Sequence, residues 1–375
     1  MGREQQLKRS ALGLVGVAVL ALAPATANAE VRTALTPDQA ALSARGSAGG
    51  IRERILPGRP DPTKVRAHAA AAFPAWGGSY TAIVNGKSAG KVSIYTSNRL
   101  ARNSKVNQQW ANFFGSLPHG SELAKLKVYL APLSQLTLSY VCGSMADSCY
   151  DPNYGIMYLT SEIPPDGASI TQIAAHEYGH HIATWRLNTP WDALTWGPKH
   201  WATTAHVCQY QRSGDMFPGD EGAHYEDNPA EIWAETYRVY ATGLNGDRLD
   251  PWEIINPRWE PTTANLIAAG QDSTSPWTKP VKSSAAGTLT TSGAQTATVR
   301  VPMSLDGTVD ATVSAKGGLM VRLAAYAANG DLLTPVGSKS SRAAVKACGT
   351  GDVSLVVTRV GGKGSWSLSI QSPGT

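Results

Sequence analysis

Residues 174–183 read AAHEYGHHIA, which sets His176 and His180 four apart with Glu177 beside the first of them. On a helix, positions four apart differ by only about 40° and project from one face a turn apart, so two imidazoles so spaced can bind one metal ion. Glu177 is rotated off that line yet stays near the ion, where a carboxylate must stand to take a proton from a metal-polarised water. The pattern suits metal-assisted hydrolysis, with His176 and His180 as Zn²⁺ ligands and Glu177 as general base. His181 projects about 100° from His180 and is expected to face solvent or to support the ligands.

A catalytic zinc needs a third protein ligand and an open fourth position. A third ligand on the same motif, in the metzincin manner, needs glycine at 183 and histidine or aspartate at 186, but the chain has Ala183 and Arg186. A carboxylate on another helix remains, and in NPAEIWAETYRVYATG Glu231 and Glu235 are again four apart. One can ligate while the other accepts the free ring N–H of a ligand histidine and fixes its tautomer. Glu231 also stands three past Asn228, a capping-box spacing, so Glu235 is the substitute ligand if Glu231 only caps the helix.

These residues need elements to hold them. SYTAIVN and KVSIYTS flank Asn85-Gly86, and a helix over NQQWANFFGSL is followed by strands at KLKVYLAP, LTLSYVC and YGIMYLTS. Ser169, three before Gln172, predicts a capping box for an amphipathic helix that carries the histidines and stops at Asn188 and Pro190. An irregular stretch from Pro190 to Glu226 leads to the second helix, capped by Asn228 and Pro229 and left at Gly243. Past Trp259 the chain runs through Pro, Ser and Thr to a boundary near Lys282. Beyond it TATVRVPM, GTVDATVSA, LMVRLAAYA, VSLVVTRV and SWSLSI are strands, with hairpin turns at Asn329-Gly330 and Gly361-Gly362, and predict a small antiparallel β-sandwich.

The start of the chain is a separate matter. Arg3, Lys8 and Arg9 precede an apolar run from Ala11 to Ala23 and the cleavage pattern Ala27-Asn28-Ala29, so residues 1–29 are expected to be a signal peptide and the protein to be secreted. The run is too short to span a bilayer, and no membrane anchor is expected. Losing three basic and one acidic residue with the leader lowers the formal net charge from +5 to +3, too mild to argue for nucleic acid. Residues 30–75, rich in Ala, Gly, Arg and Pro, suggest a linker or pro-segment. In an oxidising compartment the four cysteines can pair, and Cys142 with Cys149 is the favoured bridge, leaving Cys208 with Cys348.

His176-Glu177-x-x-His180 with Asn228-Pro-Ala-Glu231-Ile-Trp-Ala-Glu235 far downstream resembles the gluzincin metallopeptidases, with a motif layout similar to the catalytic domain of anthrax lethal factor. The resemblance implies a zincin-like fold, Glu231 as third zinc ligand, Glu235 behind the ligands and Glu177 as general base. It further implies a tyrosine or histidine near the third ligand that holds the oxyanion. Tyr225 and His224 stand just ahead of Glu231, and His206 is a weaker candidate. A peptide or protein substrate would lie along an edge strand, expected at YGIMYLTS, and Gly179 would permit close approach of backbone or substrate.

The expected fold is therefore α+β: a zincin-like metallopeptidase domain over 76–275, followed by the β-sandwich over 282–375. The expected activity is peptide-bond hydrolysis. Two rivals are a non-catalytic secreted binding protein on a peptidase scaffold and a serine hydrolase using Ser88 in Gly86-Lys87-Ser88-Ala89-Gly90, although a nucleophile elbow needs a helix after its strand. The acidic residues Asp215, Asp220, Glu221, Glu226 and Asp227 lack the spacing of a calcium loop. Trp185, Trp191, Trp196 and Trp201 are expected mainly in packing.

Overall fold

A computed structural model describes residues 32–41 and 74–374, apart from 139–140, 144–145, 165–167, 246–253, 336, 338–339 and 350. The expected signal peptide and most of the expected linker lie outside these residues. The described stretch at 32–41 packs as part of the core. Ala34 is buried, the Trp110 indole donates to the Leu35 carbonyl at 2.9 Å, and helix α1 (Pro37–Ala41) opens with a reciprocal Thr36/Gln39 cap.

The chain is mixed α+β. A five-stranded sheet comprises β1 (Ala75–Val84), β2 (Lys87–Ser97), β3 (Lys127–Ala131), β4 (Ser148–Asp151) and β5 (Ile156–Thr160), in the order β1-β2-β3-β5-β4. The β2/β3 and β3/β5 pairs are parallel, while β1/β2 and β4/β5 are antiparallel. Asn85 and Gly86, with φ of 50° and 73°, make the expected β1–β2 hairpin. Ser88 lies exposed within β2, opposite Ile83, so its motif is a strand–turn–strand and lacks the elbow's helix. Helix α2 (Ser104–Ser116) covers the sheet with Trp110 and Phe114.

Two strand expectations need correction. The described residues of LTLSYVC lie in no strand: Leu136 ends the one-turn helix α3 (Leu133–Leu136), which Pro132 opens, and the next strand is SCYD of β4. YGIMYLTS is not the edge either, because β5 is paired on both sides and β4 is the outer strand. Short polar runs around a disulfide carry too little alternation to mark an edge strand.

The helical layer holds α4 (Ile170–Thr184), the short α5 (Ala193–Trp196), α6 (Lys199–Thr204) and α7 (Val207–Ser213), then α8 (Pro229–Asn245) and α9 (Thr263–Thr274). The stretch expected to be irregular after Pro190 thus contains three short helices. The stretch after Trp259 contains α9, capped reciprocally by Thr262 and Asn265. Helix α4 is buried on every side from Ile170 to Ala183, a core helix rather than the amphipathic one expected. Ser169 bonds Thr171 rather than closing a capping box with Gln172, whose side chain instead accepts from Arg238 on α8.

The remaining strands are β6 (Val281–Leu289), β7 (Thr296–Met303), β8 (Gly307–Ala315), β9 (Met320–Tyr326), β10 (Arg342–Ala347), β11 (Gly351–Gly361) and β12 (Gly364–Ser372). They form two antiparallel sheets, β10-β8-β12-β6 and β7-β11-β9, which share one apolar cluster. Gly361-Gly362 is not a hairpin turn, since it carries the chain from one sheet to the other. Asn329-Gly330 does turn the chain sharply, Ala327 N–H bonding the Asp331 carbonyl at 2.8 Å.

Both disulfides follow the favoured pairing. Cys142–Cys149 ties the loop after α3 to β4. Cys208–Cys348 ties α7 to the loop after β10, and Lys199 adds bonds from its buried ammonium to the Thr189 and Asp306 carbonyls at 2.7 and 2.8 Å.

Candidate metal centre

Helices α4 and α8 cross at Gly179. A Cβ there would sit 2.9 Å from Ala234 Cα, so glycine lets the two backbones meet. The close partner expected of Gly179 is therefore the second helix. Position 176 and position 180 face α8 with their ring nitrogens, and Glu231, one turn into α8, faces back.

His176 Nε2 and His180 Nε2 are 3.1 Å apart, and Glu231 Oε2 lies 3.2 Å from the first and 3.5 Å from the second. All three side chains are buried. Among the described residues this is the one cluster of three such donors within reach of a single ion. Bonds of about 2.0–2.1 Å to a tetrahedral ion put ligand atoms about 3.3 Å from one another, and the observed separations bracket that value. Glu231 Oε1 and His180 Nδ1 are buried with no hydrogen bond among the described residues. A buried carboxylate oxygen without a donor is costly, and a cation at the cluster would offset that cost. The residues therefore fit a metal ion.

The electrostatics agree. Burial by itself would raise the Glu231 carboxyl, but the adjoining His180 and His176 rings outweigh it and hold the group well below the usual carboxylate range. Burial pushes His180 down, against the pull of Glu231, which favours the neutral imidazole that a metal requires.

Glu231 does not serve the cap. Asn228 Oδ1 takes that role, accepting from Ala230 N–H at 3.1 Å, and the carboxylate is released toward the histidines. Glu235 comes to 3.7 Å from His176 Nδ1, longer than a hydrogen bond, and pairs with Arg238 through both oxygens. Arg238 was not foreseen, though its spacing of three from Glu235 on one helix face is a signal.

Glu177 is buried, and its Oε1 accepts from the Ser148 hydroxyl at 2.6 Å. No sequence signal links these two residues, because a strand and a distant helix meet only in the fold. Tyr225 OH donates to Glu231 Oε2 at 2.9 Å. His224 is exposed and stacks on Phe217 at 3.7 Å, and nothing in its contacts ties it to the three donors. His206, at φ 56°, lines a separate cavity of about 300 Å³ with Trp201, Tyr210 and Trp259.

His181 is not at the surface. Its Nε2 donates to the Glu122 carbonyl at 3.0 Å and its Nδ1 accepts from Tyr150 OH at 3.0 Å, a pairing that only the neutral ring can make. Burial pushes its pKa down to about 4. In the 215–227 loop Arg258 bridges Asp215 and Asp227, Asp220 accepts from Gly222 N–H, and Glu221 accepts from Asn228.

Neither protein-family models nor curated proteins yield a match to this chain. The functional reading therefore rests on the site. Trp201 is fully buried against Trp233 and Trp191 stacks on Trp196, so these tryptophans pack.

Proposed function

We propose that this chain is a secreted zinc-dependent peptidase of the gluzincin type, built on a zincin-like domain. The observation that carries the reading is the meeting of His176, His180 and Glu231 at one buried point, with Glu177 next in the chain to the first ligand. Two imidazoles and one carboxylate suit zinc better than calcium or magnesium, which take oxygen ligands. When bound, zinc supplies Lewis-acid polarisation of water and of a peptide carbonyl.

The chain's own residues do the rest. His176, His180 and Glu231 would hold the ion. Glu177 takes a proton from the attacking water and returns it to the leaving amine nitrogen. Tyr225, whose hydroxyl stands beside Glu231 Oε2, donates to the oxyanion. The resemblance would lay an extended peptide along the outer strand, which is β4, although all four of its residues are buried. Export is supported by the leader pattern and two disulfides, and no helix among the described residues is long and apolar enough to cross a membrane.

The test compares the purified protein with Glu177→Gln for bound zinc and for cleavage of an unstructured protein. Zinc retained by both, with cleavage by the parent alone, is the expected result. Equal cleavage removes Glu177 as base, and zinc binding without turnover in the parent favours a binding protein on a peptidase scaffold.

A further inference from the structure

We infer that Ser148 is a positioning residue for Glu177 and that the Cys142–Cys149 bridge sets the strand that carries it, an inference that rests on the peptidase reading. Ser148 and Glu177 are both fully buried, and the hydroxyl meets Glu177 Oε1 at 2.6 Å. An ionised carboxylate only accepts, so the hydroxyl donates, and the length is that of a charge-assisted O–H···O⁻ bond.

The contact is one half of a matched pair. Ser148 and Tyr150, two apart on β4, share a face of the strand, and Tyr150 OH meets His181 Nδ1 at 3.0 Å. Glu177 and His181 are four apart on α4 and share a face of the helix. Two strand residues advance about 6.7 Å and four helix residues about 6 Å, so the two elements can be joined at both points without distortion. Cys149, between them, points to the other face, where its bridge to Cys142 sits in a cluster with Tyr129 and Tyr158. Antiparallel pairing with β5, Ser148 opposite Leu159 and Cys149 opposite Tyr158, fixes the register. The strand is thus held from behind by a covalent bond and from the side by β5, while its front face fixes the rotation of the Glu177 carboxylate. A base whose oxygens are held in place loses less in reaching the reacting geometry than one that turns freely.

The test uses the full zinc-loaded protein. Ser148→Ala is expected to lower kcat about 10- to 100-fold, with KM and bound zinc unchanged within about twofold. Ser148→Thr, which keeps a hydroxyl, is expected to restore most of kcat. A Cys142→Ala/Cys149→Ala double substitution is expected to lower kcat in the parent and to add less than its own effect in the Ser148→Ala background. Infrared difference spectroscopy reads the contact without turnover: Ser148→Ala should shift a carboxylate stretching band that Glu177→Gln removes. No such shift, or turnover with unchanged kcat in Ser148→Ala, overturns the positioning role alone. No turnover by the parent overturns the peptidase reading and the role with it.

Discussion

The Trp233 indole N–H donates to the main-chain carbonyl of Gly179 at 2.8 Å, across the crossing of the two helices that carry the candidate metal donors. Where α4 and α8 touch, backbone meets backbone, and the side chains one turn away on each helix are brought within reach of one another. Gly179→Ala would push a methyl group against Ala234 Cα. Overpacking costs about 1–3 kcal/mol and the gain in helix propensity is about 1 kcal/mol. The expected outcome is a lower melting temperature and weaker zinc binding, read by thermal denaturation and by competition with a zinc indicator. A variant as stable and as tight as the parent would contradict the close crossing.

Tyr225→Phe removes one hydroxyl from the Glu231 carboxylate and leaves the three donors in place. If this hydroxyl serves the oxyanion, kcat falls about 10²- to 10³-fold while bound zinc persists. A change confined to KM would assign Tyr225 to substrate binding instead.

Glu235 shares its charge with Arg238, which is buried and also donates to Gln172. Burial would raise the Glu235 carboxyl, but Arg238 outweighs it and holds the group below its ordinary value. Glu235→Gln leaves a buried guanidinium short of its counter-ion, at a cost of about 3 kcal/mol or more. It also loosens the surroundings of His176, for which about a 10- to 100-fold loss in zinc affinity is expected. Urea titrations with and without zinc separate the two effects.

The junction between the helical layer and the C-terminal sheets is expected to respond to pH. Burial raises Asp306 from 3.8 to about 6 and lowers Lys199 from 10.5 to about 8. The Asp306 contribution to stability is complete below its unfolded value and is lost as pH rises through 6. The Lys199 contribution is complete above its unfolded value and is lost as pH falls through 8. Between pH 6 and 8 both groups are charged, and the junction is weakest there. Asp306→Asn should flatten the acid side of a plot of melting temperature against pH, an effect of up to about 3 kcal/mol. An unchanged acid side would show that Asp306 does not titrate with folding.

Local patterns were readable in the sequence wherever one short stretch both makes and uses the feature. His176, Glu177 and His180 share one helix, Asn85-Gly86 needs only its own two positive φ angles, and β7, β8 and β9 show in their alternating residues. Helix α9 escaped because its buried face includes the small residues Ala268, Ala269 and Gly270, which give little periodic signal. The edge position of β4 escaped because strand order is a property of the sheet and not of any strand.

By itself, the sequence determined the type and spacing of the candidate metal donors on each helix, the cysteines available to pair, and the α+β character, since these follow from backbone period and local residue choice. Only the tertiary structure decided that Glu231 faces the histidines while Asn228 caps its helix, that His181 turns inward to Tyr150 and Glu122, and that Ser148 reaches Glu177. Each of those outcomes depends on which buried polar groups find partners across elements distant in the chain, and hydrogen-bond satisfaction in a closed core is settled by packing and not by spacing.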